Sequence, residues 1–263
     1  MIRKTINNKA IAIVALLSGL TACGENPDST TDNDTAASYA QKVRPDFSAF
    51  QDVKEKKAAF FNYLRPAVIH ENQRVERERT FLIALQEKMN AAALIAGDDH
   101  EYAVKLGNVY KQPLMDDTVT MDWLSIMLNR VDVLPESLVL SQAANESGWG
   151  TSRFAVQGNN YFGQWCYRKG CGLIPNARNA GAAHEVAIFE TPYLAVQGYF
   201  MNVNTHRAYQ ELRDIRTALR VENKPVDGTT LAKGLTQYSE RGHAYVEEIQ
   251  AMIRHNNQYW LQG

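Results

Sequence analysis

Apolar residues recur every three to four positions from Phe47 to about Tyr110, as in Phe50, Val53, Phe60, Phe61 and Leu64, and again in Val75, Phe81, Leu82, Leu85 and Met89. That period marks helices with one buried face. Gly97-Asp98-Asp99 breaks the pattern and starts a fresh helix. The charges Arg74, Glu76, Arg77, Glu78 and Arg79 are expected on a solvated face. A second helical block opens near Thr118 or Thr120 and carries Trp123, Ile126, Met127 and Val131. Pro135, suited to a first helical turn, begins another. Its run from Leu138 to Glu146 is apolar or small almost throughout, which predicts a central buried helix closed by Gly148 and Gly150.

Residues 150–183 are rich in Gly and Asn and read as loop. His184 to Phe189 alternates as a strand does and is the best β candidate. Thr191-Pro192 caps a helix through Phe200, and further helices are expected near 207–220, 229–238 and 243–258. The fold class that follows is α+β, mainly helical, with a small β-hairpin lobe beside a helical lobe.

The N-terminal residues follow another logic. Arg3, Lys4 and Lys9 precede the apolar run Ile11 to Leu20, and Thr21-Ala22-Cys23-Gly24 follows. A basic head, a short apolar core and small residues make a signal peptide over 1–22, too short for a membrane span. Leu20-Thr21-Ala22-Cys23 resembles a bacterial lipoprotein box, which implies a lipid on Cys23. A plain secretory signal with a chance cysteine is the alternative. Gly24 stands where an aspartate would retain a lipoprotein at the inner membrane, so the expected address is the outer membrane, facing the periplasm. Residues 23–45, rich in Asn, Asp, Ser and Thr, read as a flexible tether. A helical region 46–117 and a C-terminal region 118–263 complete the division.

Composition narrows the function by exclusion. The 28 basic and 29 acidic residues leave a formal charge of −1, with no basic footprint for nucleic acid. Cys166 and Cys171 lack a second Cys or His pair for zinc, so in an oxidising compartment a loop-closing disulfide is favoured over a metal. No organic cofactor is implied.

Glu146 is the leading chemical candidate. A carboxylate at the C-terminal end of an apolar helix meets the negative end of the macrodipole and apolar neighbours, and both raise its pKa. A raised carboxyl pKa suits a general acid. Glu146-Ser147-Gly148-Trp149-Gly150-Thr151-Ser152-Arg153, followed by Gly158-Asn159-Asn160-Tyr161-Phe162-Gly163, resembles the signature of the family 73 glycoside hydrolases. Trp165-Cys166, Cys171-Gly172 and His184-Glu185-Val186 are similar to the Bax-type branch of that family. The resemblance implies a lysozyme-like fold and an endo-β-N-acetylglucosaminidase acting on peptidoglycan glycan strands, with Glu146 as the acid.

The resemblance also suggests Glu185 as a second carboxylate and places Tyr238 of Thr236-Gln237-Tyr238-Ser239 in the groove, whereas Tyr245 is expected to pack. Glycoside hydrolysis ordinarily uses two carboxylates, but the substrate's own acetamido group can replace one. Trp165 and Tyr161 are expected to stack on sugar rings, with Asn160 beside them at the groove, although Asn159 and Asn160 also read as turn residues beside Gly158 whose side chains fold back on the backbone; Trp149 and Phe162 are expected in the core. Two rivals stay open: a lytic transglycosylase on the same fold and a non-catalytic peptidoglycan-binding lipoprotein.

Overall fold

The computed structural model describes residues 43–176 and 184–260. The signal peptide, Cys23 and all but the last residues of the tether lie outside the described residues. Helix α1 (Val53–Asn90) starts where the Asp52 carboxylate accepts the Glu55 amide at 2.8 Å. It packs against α3 (Met121–Arg130), α4 (Glu136–Ser147) and α6 (Pro192–Thr205), so the N-terminal helix shares one core with the rest.

The expected solvated face of α1 is corrected by the structure. Glu76 and Arg77 are exposed, but Arg74 and Glu78 are buried. Arg74 grips both oxygens of buried Glu71, at 2.6 and 3.0 Å, and also bonds Glu78. The Tyr110 hydroxyl, just past α2 (Asp98–Val109), donates to Glu78 at 2.5 Å. Spacings of three and four put these groups on one side of the helix, where each charge finds a partner. Arg79 reaches the carbonyls of Leu128 and Val131 at 2.7 and 2.9 Å.

Helix α4 is the buried helix its composition predicts: every residue from 138 to 144 is fully enclosed. It ends at Gly148, and Gly148, Trp149 and Gly150 all have positive φ (56°, 60° and 76°). A Cβ at Gly150 would meet the Phe47 ring at 2.4 Å, so only glycine fits. Ser147 staples the turn, donating to Ala143 O at 2.6 Å and accepting the Gly150 amide at 2.8 Å.

Two differences from expectation concern residues 150–190. A short helix α5 (Arg153–Gly158), capped by Ser152, stands where loop was expected. Six residues are too few to show a helical period. In place of a hairpin there are three short antiparallel strands, β1 (Trp165–Cys166), β2 (Gly172–Leu173) and β3 (Glu185–Ala187), in the order β1-β3-β2. Trp165 pairs with Val186, Cys166 with Glu185, and Leu173 with Val186. Strands of two residues carry no readable alternation.

Helix α6 is capped by Thr191, with Pro192 in its first turn. After it come a 3₁₀ turn (Arg207–Tyr209), α7 (Gln210–Val221), α8 (Gly228–Leu231) and α9 (His243–His255). Buried Arg216 of α7 donates to the carbonyls of Asn129 and Arg130, satisfying the orphan C-terminal end of α3. The result is a mainly helical α+β protein with a small β lobe attached at the end of α4.

Candidate active site

Because α4 is enclosed along its length, its last turn delivers Glu146 from the core to a surface cleft of about 590 Å³. The residues around Glu146 come from the loop after α5 (Phe162, Gly163), β1 (Trp165), α6 (Tyr199, Asn202) and the later segments holding Tyr209 and Tyr238. Glu146 itself is half-buried. Burial pushes its carboxyl above the ordinary range, and a hydrogen bond from Tyr245 partly opposes the rise. Nearby Glu248 adds to the rise, while Arg241 reduces it.

The acid is held from behind by a polar chain in otherwise apolar surroundings. The Tyr245 hydroxyl donates to Glu146 Oε1 at 2.8 Å. Gln142 Nε2 donates to the same hydroxyl at 3.1 Å, and Tyr199 donates to Gln142 Oε1. Gln142 lies one helical turn before Glu146 and therefore on the same face. Burial pushes the hydroxyls of Tyr199, Tyr238 and Tyr245 upward, which keeps all three as donors. The other carboxyl oxygen, Oε2, faces Gly163, where an added Cβ would come within 3.8 Å.

Of the residues expected at the site, Glu146, Tyr238 and Trp165 all line the cleft. Tyr238 stacks on Tyr245 at 4.9 Å and donates to Phe162 O at 3.0 Å. Trp165 is 57% exposed. Cys166 and Cys171 form the disulfide.

Three others are corrected. Tyr161 is fully buried with its ring edge-on to Phe60 and Tyr63, so it cannot offer a face to a sugar. Asn160 is 1% exposed and spends its side chain on the chain itself. It donates to Gln164 O and Ala187 O, both at 2.9 Å, and accepts the amides of Phe162 and Gln164. Glu185 is not among the cleft-lining residues, because its carboxylate turns toward the amides of Gly170 and Gly172. Tyr245, expected merely to pack, touches the acid. The i,i+4 spacing of Gln142 and Glu146 was a signal for one missed partner, whereas nothing in the sequence linked Tyr245 or Tyr199 to them.

The described residues contain one group with metal-ligand proximity, Cys166, Cys171 and Glu185, and its two sulfurs are spent in the disulfide.

Comparison with known proteins agrees with this geometry. The glucosaminidase family model, described as mannosyl-glycoprotein endo-beta-N-acetylglucosaminidase, matches residues 123–258. The protein Bax of Escherichia coli (strain K12) is 31% identical over 212 residues, covering 81% of this chain and 74% of that protein. No solved structure matches significantly. The matched segment holds Glu146, its tyrosine support and both lobes of the cleft, and the chain belongs to the glucosaminidase family as a Bax-type member.

Proposed function

We propose that the protein is a peptidoglycan hydrolase that cleaves the β-1,4 bond following N-acetylglucosamine, with Glu146 as the general acid. One observation carries the reading: a half-buried carboxyl, its pKa raised by burial, opens into a cleft large enough for sugar units. A raised pKa favours the protonated form, the form from which a general acid delivers its proton to the bridging oxygen as the bond breaks. Activity is present while Glu146 is protonated and is lost as pH rises through its raised pKa.

Among the described residues lining the cleft, Glu146 is the single carboxylate. That favours attack by the substrate's 2-acetamido group, with no protein nucleophile. The same feature fits a lytic transglycosylase, which also works with one acid. Digestion of purified sacculi followed by mass spectrometry separates the two. Reducing-end N-acetylglucosamine supports the hydrolase, and 1,6-anhydro-muramyl ends replace it with the transglycosylase. Binding of sacculi without turnover, equal in wild type and Glu146→Gln, leaves only a binding protein.

The Leu20-Thr21-Ala22-Cys23 box supports an outer-membrane location through a lipid on Cys23. Labelling with a radioactive fatty acid is expected to mark the wild type and not Cys23→Ala, and a wild type without label would refute the anchor.

A further inference from the structure

The acid chemistry makes no use of the buried carboxylate of Glu185. Glu185 is 5% exposed and sits opposite Cys166 in the β1–β3 register. Its oxygens accept the amides of Gly170 at 3.0 Å and Gly172 at 2.8 Å, both charge-assisted bonds. The same segment is closed covalently by the Cys166–Cys171 disulfide. Its glycines are needed for this approach. A Cβ at Gly172 would lie 2.0 Å from Val186 O, and Gly170 has φ +80°. Residues 166–172 are thus tied to β3 by a carboxylate and to themselves by a sulfur bridge.

What this tied loop presents toward the cleft is aromatic, while Arg168 and Lys169 are exposed outside it. Trp165 stacks on His184, the residue before Glu185, at 4.1 Å and 11°. Tyr167 is 74% exposed. Both line the cleft that holds Glu146. Exposed rings have no core to fix them, so their position depends on the backbone that carries them.

We propose that Glu185 is a positioning residue for saccharide binding: by anchoring the 166–172 loop it holds Trp165 and Tyr167 as a stacking wall for N-acetylated sugar units. This deepens the peptidoglycan reading and rests on it. Glu185 touches no reacting atom, so its loss acts on binding and leaves the proton transfer from Glu146 intact. The disulfide shares the task, so reduction of the bridge adds to the loss of the carboxylate.

The test uses the full-length protein carrying Glu185→Ala or Glu185→Gln, with and without dithiothreitol. Turnover of purified peptidoglycan gives kcat, KM and the pH profile. Calorimetric titration with an N-acetylglucosamine tetramer in a Glu146→Gln background gives binding without turnover. For Glu185→Ala, KM and the tetramer Kd are expected to rise on the order of tenfold, the scale of one lost aromatic contact. The kcat and the alkaline limb of the pH profile stay unchanged, and reductant weakens binding further. Glu185→Gln falls between, since its amide oxygen still accepts one N–H. A collapse of kcat at unchanged KM would make Glu185 a catalytic group and overturn the proposal. Unchanged KM and Kd would overturn it as well. If Glu185→Ala does not fold, Trp165→Ala must reproduce the binding loss, and wild-type affinity in that variant refutes the wall. A wild type whose tetramer binding depends on Glu185 yet which never turns over peptidoglycan defeats the hydrolase reading alone.

Discussion

Behind Glu146 the cleft wall is protein core: α4 is enclosed from Leu138 to Ala144, and Tyr245 reaches the acid from within, with Gln142 and Tyr199 behind it. Across the cleft, strands of two and three residues carry Trp165 and Tyr167 into solvent, held by a disulfide, two buried polar side chains and a few glycines. On the proposed function, the difference follows from what each wall would have to do. A proton donor needs a surrounding that disfavours charge, and burial supplies it. A sugar-stacking wall must leave its rings uncovered, so burial cannot hold it, and local bonds take its place. A strand this short gains too little from pairing to stand alone.

Breaking the helical wall at the acid should have the largest effect. Glu146→Gln keeps size and shape but removes the proton, so turnover of sacculi is expected to fall by about 10²- to 10⁴-fold with folding unchanged by circular dichroism. Near-native turnover would end the assignment.

Next comes the support beneath that wall. Arg74→Ala leaves the buried carboxylates of Glu71 and Glu78 without their cation. Stability measured by denaturant unfolding should drop by roughly 3–5 kcal/mol. A change within about 0.5 kcal/mol, the usual range for surface substitutions, would show that this face is as solvated as its composition suggests.

In the β lobe the effects should be smaller and local. Replacing Cys166 and Cys171 by Ser opens a short loop, for which chain entropy predicts a loss of about 2 kcal/mol. Hydrogen exchange should report it at residues 165–173 while the amides of α4 stay protected. Equal loosening of both regions would mean the two walls are one cooperative unit.

The smallest change tests tuning. Tyr245 donates to the Glu146 carboxylate and so lowers its pKa against the rise from burial. Tyr245→Phe removes that donor, and the alkaline limb of the pH–activity profile should move to higher pH, with only a few-fold change in rate. A shift to lower pH would mean that the hydroxyl does not stabilise the ionised acid.

Much of the helical body is legible in the sequence because helices of ten or more residues repeat their pattern several times. The break at Gly97, the caps at Thr120 and Thr191, the start after Pro135 and the buried run before Glu146 all stand where local chemistry puts them. Arg74 and Glu78 are not legible in this way, because a charged stripe looks alike whether it faces water or pairs inside. Tyr161 and Asn160 escape for a related reason. Aromatic and amide residues serve a groove or a core equally well, and only their neighbours distinguish the two.

The sequence by itself settled what depends on nearest neighbours and short periods: the long helices, the turn at Gly148 to Gly150, and a lone acid at the end of an apolar run, but not α5 or the expected helix near 229–238, which is α8 followed by a 3₁₀ turn. The tertiary structure decided what depends on segments far apart in the chain. It brought Tyr245 to Glu146 across 99 positions and turned Glu185 toward the loop amides instead of the cleft. Local pattern encodes which face of an element is apolar. Only packing says which polar groups end up close enough to share a proton.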